Sequence, residues 1–318
     1  MVLLPLPVLL FLIWRRSFAN IHPSRPLHKI ERNSPHLDDS VSIPYAAEDS
    51  DLPAKIPDTT EILSCQRILI ERTGVKVVAL GHHFVAKYGP AVNLEEGRTM
   101  IFLRRRAQVA IPKVYALFRA CDQNFIIMER IEGQTLRDVW PALTDVEKTT
   151  IANRIKESLI KIRSLPAPNT YCSLGNKPLR HPLFWTPADD PRCDGPFESE
   201  SELNDALVRK FRASEAMQGK APFYQNNLPY VFQGHPPVFT HGDLQLKNMM
   251  IRKTPESLGE VVLLDWEVAG WYPNYWEYAQ AIIACGLFDD DWHQYVNDIL
   301  PAFRSEYAWL RMIRSELW

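Results

Sequence analysis

Two short polar stretches concentrate the side chains of this sequence that can do chemistry. The first is Val238-Phe239-Thr240-His241-Gly242-Asp243-Leu244-Gln245-Leu246-Lys247-Asn248-Met249-Met250-Ile251. An apolar entry and an apolar exit there enclose a loop with a carboxylate, a carboxamide five positions later and an imidazole two positions earlier. The second is Glu260-Val261-Val262-Leu263-Leu264, an apolar run that delivers Asp265 at its end, 17 residues after Asn248. A carboxylate beside a hydroxyl can accept its proton. An amide oxygen with a second carboxylate suits magnesium, which takes hard oxygen ligands while keeping waters and substrate phosphates. Together these groups suit transfer of a phosphoryl group to an alcohol.

The spacing H-x-D-x-x-x-x-N is that of kinase catalytic loops. Singly, each residue has an ordinary competitor, because a loop aspartate is most often a turn former. The joint set His241, Asp243, Asn248 and Asp265 is what points to a site, with His241 read as bracing the loop by hydrogen bonds rather than moving protons. A phosphoryl group in flight spreads negative charge over its oxygens and calls for positive compensation. Lys87, at the end of Phe84-Val85-Ala86-Lys87, is the candidate grip for the α and β phosphates. An acid from the following helix would hold it, Glu96 being best placed and Glu95 its rival.

The elements that must position these groups follow from periodicity. Ile62, Cys65, Leu69 and Ile70 recur at helical intervals and predict a helix from Glu61 to Thr73 closed by Gly74. Val75–Leu80 and Phe84–Tyr88 predict a hairpin with Gly81 in its turn, which also holds His82 and His83 facing solvent. A helix over about 94–105 and strands at Val114–Phe118 and Phe125–Met128 complete a small α+β lobe. Beyond it Thr144-Asp145-Val146-Glu147 is a capping box, and Ile151, Ile155, Leu159 and Ile162 form one apolar stripe of a helix that Pro166 ends. Residues 166–200, rich in Pro and Asp, predict a long surface excursion. Helical patterns return at 200–217, at 275–285 and from Asp291 to the end. The aromatic run Trp266–Tyr278 is read mainly as packing.

Composition bounds the rest. The 318 residues carry 36 Lys+Arg against 38 Asp+Glu, a net charge of −2, and 46% hydrophobic residues. That is a globular chain large enough for a substantial core. It lacks the basic excess of a protein that lives on nucleic acid, and its tightest basic run, Arg104–Arg106, is read as a solvated helix face. The five scattered cysteines show neither disulfide nor zinc spacing, which fits a reduced, cytoplasmic compartment. Val2–Ile13 is almost wholly apolar, broken by Pro5 and Pro7. It falls short of the ~20 residues needed to span a bilayer and carries its charges, Arg15 and Arg16, on the wrong side for a secretory signal. A membrane contact through residues 2–14, a signal-like segment and a functionless extension stay open. Residues from Arg15 to about Ser50 read as a flexible lead-in.

At this point the chain resembles a known group, the aminoglycoside phosphotransferase and choline kinase-like superfamily, over about residues 60–315. The resemblance is carried by Val85-Ala86-Lys87-Tyr88-Gly89, Ile127-Met128-Glu129-Arg130-Ile131-Glu132-Gly133, Phe239-Thr240-His241-Gly242-Asp243 with Asn248, and Leu264-Asp265-Trp266-Glu267. The run Ala269-Gly270-Trp271-Tyr272-Pro273 with Tyr275-Trp276-Glu277-Tyr278 points to its fungal branch. The resemblance implies an α+β, bilobal protein-kinase-like fold: a lead-in over 1–58, a β-rich nucleotide-binding N-lobe over 59–130, and a mainly helical C-lobe over 131–318. It implies ATP in the cleft, with Met128–Ile131 as the hinge and adenine bonded to backbone near Glu129 and Ile131. Asp243 would be the catalytic base, Asn248 and Asp265 the Mg2+ ligands, and Lys87, held by Glu96, the phosphate grip. The sequence departs from the family pattern at Gln245, where His or Asn is common, and at Arg98, where a second acid is common. No G-x-G-x-x-G loop precedes Lys87, which argues against a protein kinase more than against phosphotransfer.

The leading reading is an ATP-dependent kinase of a small hydroxyl-bearing molecule. Its competitors are a nucleotide-binding pseudokinase or scaffold of the same fold and, more weakly, a metal-dependent hydrolase built on Asp243 and Asp265. A choline-type substrate would want an aromatic cage and an aminoglycoside an acidic pocket; Glu267, Glu277 and Asp289–Asp291 are the acids at hand.

Overall fold

The computed structural model describes residues 41–185, 190–252 and 259–317. The apolar stretch 2–14 and most of the lead-in lie outside the described residues. The chain forms two compact units, one of residues up to Arg98 with Lys113–Arg130, the other of Thr99–Pro112 with Ile131–Leu317. The fold is α+β, as the resemblance implied.

The first unit is a six-stranded antiparallel sheet. Its strands are β1 (Tyr45–Ala46), β2 (Ile68–Arg72), β3 (Val75–Leu80), β4 (Phe84–Gly89), β5 (Val114–Ala120) and β6 (Gln123–Glu129), in the order β1-β5-β6-β4-β3-β2. Alternation along β4 sends Phe84, Ala86 and Tyr88 into an apolar core with Val78, Tyr115, Phe125 and Ile127. Lys87 is out of phase with these three and therefore on the other face, flanked in register by Val77 and Ile126. A short helix, α1 (Thr59–Ser64), is started by a reciprocal capping box of Asp58 and Glu61 and buries Ile62. The predicted helix over 61–73 is thus half wrong: it stops at Ser64, and Ile68–Arg72 is an edge strand paired to β3. Leu69 and Ile70, whose spacing suggested a helix, are 53% and 55% exposed. The helix α2 (Leu94–Arg106) begins in this unit, and Gly97 is what lets it lie close on the sheet: a Cβ there would stand 2.2 Å from Cδ2 of Leu117.

The second unit is mainly helical, with α3 (Asp145–Arg163), α4 (Glu200–Ala213), α5 (Ala221–Val231), α6 (Trp276–Ala284), α7 (Trp292–Ile299) and α8 (Arg304–Leu317). The Thr144/Glu147 capping box forms at the start of α3, whose Ile151, Ile155, Leu159 and Ile162 are buried. Two small antiparallel sheets carry the loops of interest. In one, β8 (Pro237–Thr240) pairs with β11 (Gly270–Pro273); in the other, β9 (Met249–Arg252) lies between β7 (Gly133–Thr135) and β10 (Val261–Leu263).

Two further expectations are corrected here. Residues 166–200 are not a surface excursion: Leu174, Leu179, Leu183, Phe184 and Phe197 are buried, and Cys172 exchanges backbone hydrogen bonds with Trp271 at 3.1 and 2.8 Å. The final helical stretch is two helices, α7 and α8, parted at Leu300-Pro301. Proline removes an N–H that a continuous helix would need. The exposed Arg104–Arg106 face and the exposed His82–His83 turn are as expected, and the five cysteines are free. Among the described residues no helix is long and apolar enough to cross a membrane.

Candidate active site

In the first unit, Lys87 and Glu96 form a buried ion pair, Nζ to Oε2 at 2.7 Å, with side chains 7% and 2% exposed. Helix α2 presents Glu96 to the sheet face that bears Lys87, whereas Glu95, one residue earlier, turns to Arg98 at 2.9 Å. The choice between the two glutamates is settled by helix phase. At the end of β6, Met128 pairs with Val85 and Glu129 with Phe84. The Glu129 N–H donates to the Lys113 carbonyl at 2.7 Å and the Arg130 N–H to the His83 carbonyl at 2.8 Å. Of the expected hinge, Met128–Ile131, the Glu129 and Arg130 amides are thus engaged within the first unit, and Ile131 begins the second unit.

In the second unit, the loop from β8 to β9 carries His241, Asp243 and Asn248, and the loop after β10 carries Asp265. The β9–β10 pairing, Met249 with Leu263, sets the two loops side by side, and the Leu264 N–H donates to the Asn248 carbonyl at 2.8 Å. Gly242 and Asp265 both take left-handed backbone angles, φ +81° and +62°. The left-handed angle is available to glycine but uncommon for an aspartate, and such departures cluster where a side chain must be aimed.

His241 braces this arrangement. Its Nδ1 accepts the Asp243 N–H at 3.2 Å, so the ring proton belongs on Nε2, which donates to the Leu264 carbonyl at 2.8 Å. One ring thereby ties the Asp243 loop to the Asp265 strand, with Trp266 packed against it at 4.4 Å. The Asp243 carboxylate receives Gln245 Nε2 on Oδ1 and Asn248 Nδ2 on Oδ2, the latter at 2.7 Å. Asn248 Nδ2 also donates to the Asp243 carbonyl at 2.9 Å. The amide nitrogen of Asn248 is thus directed to Asp243, which orients its Oδ1 away from that residue. Lys247 Nζ stands 3.8 Å from Asp243 Oδ2.

Glu277 was missed as a member of this constellation. It is 0% exposed, and its Oε2 accepts the His241 N–H at 2.6 Å while Oε1 accepts the Gly242 N–H at 3.1 Å. The one sequence signal was an acid alone in the apolar start of α6, Trp276-Glu277-Tyr278-Ala279. Burial pushes the nearby Arg163 guanidinium below its usual range, and the Glu277 charge opposes that shift. Arg163 Nη2 meanwhile donates to the Asn274 carbonyl at 2.8 Å.

Carboxylate oxygens of Asp265 and Glu267 lie within 4.8 Å of one another. Two hard carboxylates with the Asn248 amide oxygen nearby fit a divalent ion of the magnesium kind. Glu267 was not assigned to a metal from the sequence. The aromatic run beside it is packing: Trp266, Trp271, Tyr272, Tyr275 and Trp276 are each at most 1% exposed.

A β-sheet unit with a buried lysine–glutamate pair and a helical unit with an H-x-D-x-x-x-x-N loop beside a strand-end aspartate define a protein-kinase-like phosphotransferase fold. The model of the phosphotransferase enzyme family matches residues 80–313, and the chain belongs to that family. Among solved structures, the chain is similar to aminoglycoside phosphotransferase APH(2'')-IIa in its gentamicin complex, with 17% identity, 79% of this chain and 87% of that one covered, and a TM-score of 0.51. It is also similar to a choline/ethanolamine kinase family protein from Mesorhizobium loti, with 14% identity, 78% and 76% covered, and a TM-score of 0.50. At these identities the likeness is one of fold. A comparison with curated proteins finds no match.

Proposed function

We propose that the chain is a kinase of a small molecule, transferring the γ-phosphoryl of Mg-ATP to an alcohol. The observation that carries this reading is the Asp243 loop: an acid directed by two amide side chains, on a backbone clamped by Glu277 and His241, beside the Asn248 and Asp265 oxygens. Asp243 orients the acceptor hydroxyl and takes its proton as the oxygen attacks. Asn248 and Asp265 would hold a divalent ion, which would supply positive charge to offset that of the phosphates. Lys87, aimed by Glu96, grips the α and β phosphates, and the segment around Met128, Glu129 and Ile131 receives the base. Loop 241–248 is already held by these hydrogen bonds before the reaction, an arrangement that would lower the reorganisation needed during it.

The experiment is Asp243→Asn compared with wild type in two assays, Mg-dependent thermal stabilisation by ATP and ATP turnover with a mixture of hydroxyl compounds. Retained stabilisation with turnover lost supports Asp243 as the base. Stabilisation of the wild type without transfer to any acceptor would make the chain a nucleotide-binding scaffold instead.

A further inference from the structure

The six-stranded sheet ends on β2, which pairs with β3 along one side only. Its Ile68, Leu69 and Ile70 are 41%, 53% and 55% exposed, and Leu63 on the preceding helix α1 is 42% exposed. Four large apolar side chains thus lie open between positions 63 and 70. Elsewhere among the described residues such side chains are open singly or in pairs, as with Val146 and Ile160 on α3 or Leu287 beside Phe288. Scattered apolar residues are ordinary on a surface, whereas a contiguous open run marks an interaction face.

An edge strand presents N–H and C=O groups that a further strand can take up, and proteins commonly blunt such an edge with lysine, proline, a bulge or a covering element. Here the register of β2 against β3 shifts between Ile68 and Ile70, which leaves Leu69 opposite no residue of β3. The residues at and beside this bulge are aliphatic, where lysine or proline would defend the edge.

The sequence of the run is complementary to itself. When Arg67-Ile68-Leu69-Ile70-Glu71 is laid antiparallel on a second copy with Leu69 opposite Leu69, Ile68 meets Ile70 and Arg67 meets Glu71. A two-fold axis repeats each pair, so both outer pairs join opposite charges and the three central pairs are aliphatic, the combinations that stabilise cross-strand neighbours. An axis at Ile70 would instead set Ile68 against Arg72 and Leu69 against Glu71, and both features would be lost. Glu71 is held ready: its Oε1 lies 2.9 Å from Lys76 Nζ on β3 while its side chain stays 60% exposed. The bulge raises the local twist, and with the axis passing through it both copies twist alike.

We propose that β2 is a self-association edge, along which two copies of the chain pair antiparallel over Arg67–Glu71 about Leu69 and join their six-stranded sheets. The chain's own apolar stretch 2–13 is a poorer occupant. It holds no charge to meet Arg67 or Glu71 and contains Pro5 and Pro7, which cannot donate to a ladder. The inference stands apart from the kinase reading, because these residues belong to the first unit and the Asp243 loop to the second.

The test follows the full chain by sedimentation velocity at rising concentration, where the wild type should pass from monomer to dimer. Leu69→Lys sets two ammonium groups at the axis and should raise the dimer Kd by about tenfold or more, with the urea midpoint unchanged. Arg67→Glu and Glu71→Arg place like charges opposite one another and should each weaken the dimer. The double exchange Arg67→Glu/Glu71→Arg should recover most of that loss, a rescue that a merely structural role of either residue would not give. Leu69→Cys should form an intermolecular disulfide on mild oxidation, since directly opposed residues stand roughly 4.5–5.5 Å apart at Cα, within disulfide reach. Gln66→Cys, whose two copies would lie roughly 20 Å apart along the strands, should crosslink no more than wild type. A monomer at every concentration, a dimer that Leu69→Lys leaves intact, or equal crosslinking of Gln66→Cys and Leu69→Cys overturns the proposal. A monomer whose urea midpoint falls in Leu69→Lys would overturn it in favour of a segment of the same chain covering the strand.

Discussion

The Glu277 carboxylate accepts the backbone N–H of His241 at 2.6 Å across 36 residues of chain. With the Gly242 N–H on its other oxygen, it fixes the direction in which the chain enters the Asp243 loop. Charge-assisted bonds of this kind are roughly twice as strong as neutral ones. Glu277→Gln keeps the shape, loses the charge and turns one acceptor into a donor facing an N–H. It should lower kcat by roughly 10- to 100-fold, the effect of about 1.5–3 kcal/mol for a hydrogen bond to a charged group, while KM for ATP moves little. Steady-state kinetics with ATP varied will separate the two. A fall in ATP affinity with kcat intact would mean that Glu277 does not act through the loop.

Lys87 and Glu96 are both buried, so removing either takes a 2.7 Å ion-pair partner away from a buried charge. Lys87→Met and Glu96→Gln should each cost about 3–5 kcal/mol of stability, read as a shift in the urea midpoint. The double variant Lys87→Met/Glu96→Leu should be more stable than Lys87→Met alone yet show no stabilisation by Mg-ATP. Nucleotide stabilisation equal to wild type in the double variant would sink the phosphate-grip role.

His181 gives the fold a pH dependence of known sign. Its folded-state pKa, about 3, lies below the ordinary histidine value of 6.5, so the unfolded chain binds the proton more readily. Stability is unaffected by this group above about pH 6.5. It falls by roughly 1.4 kcal/mol per pH unit as the pH drops below that, until the folded pKa is reached. Urea midpoints between pH 7 and pH 5 should decline in the wild type and decline less steeply in His181→Gln. Equal slopes in the two chains would show that His181 is not buried neutral.

Much of the fold was legible because it is local. Alternation in Phe84–Tyr88, the Thr144 capping box and the stripe from Ile151 to Ile162 each announce their own element. The misreadings share a cause in tertiary context. Ile62, Leu69 and Ile70 have helical spacing, but only Ile62 reaches the core; the chain breaks after Ser64 without a Gly or Pro to mark it, and Ile68–Arg72 finds β3 as a partner. The Pro-rich stretch after Pro166 looked solvated because its hydrophobic residues have no period. They are buried by docking irregular backbone on Trp271.

The site was legible to the same extent. Asp243, Asn248 and Asp265 stand in a spacing that one strand–loop–strand unit can display, so sequence alone could nominate them. Glu96 and Glu95 differ only in helix phase, which needed the sheet to decide. Glu277 reaches the loop from a helix, 36 positions beyond His241, and no local pattern encodes such an approach.

The most direct test of the whole account follows the fate of the γ-phosphoryl group. ATP labelled at that phosphorus is incubated with magnesium, the protein and a mixture of small alcohols, and the label is traced by mass spectrometry. The account predicts label in an organic acceptor with wild type and none with Asp243→Asn at equal nucleotide binding. Label appearing only in inorganic phosphate, or in an acceptor to the same extent with both proteins, would contradict it.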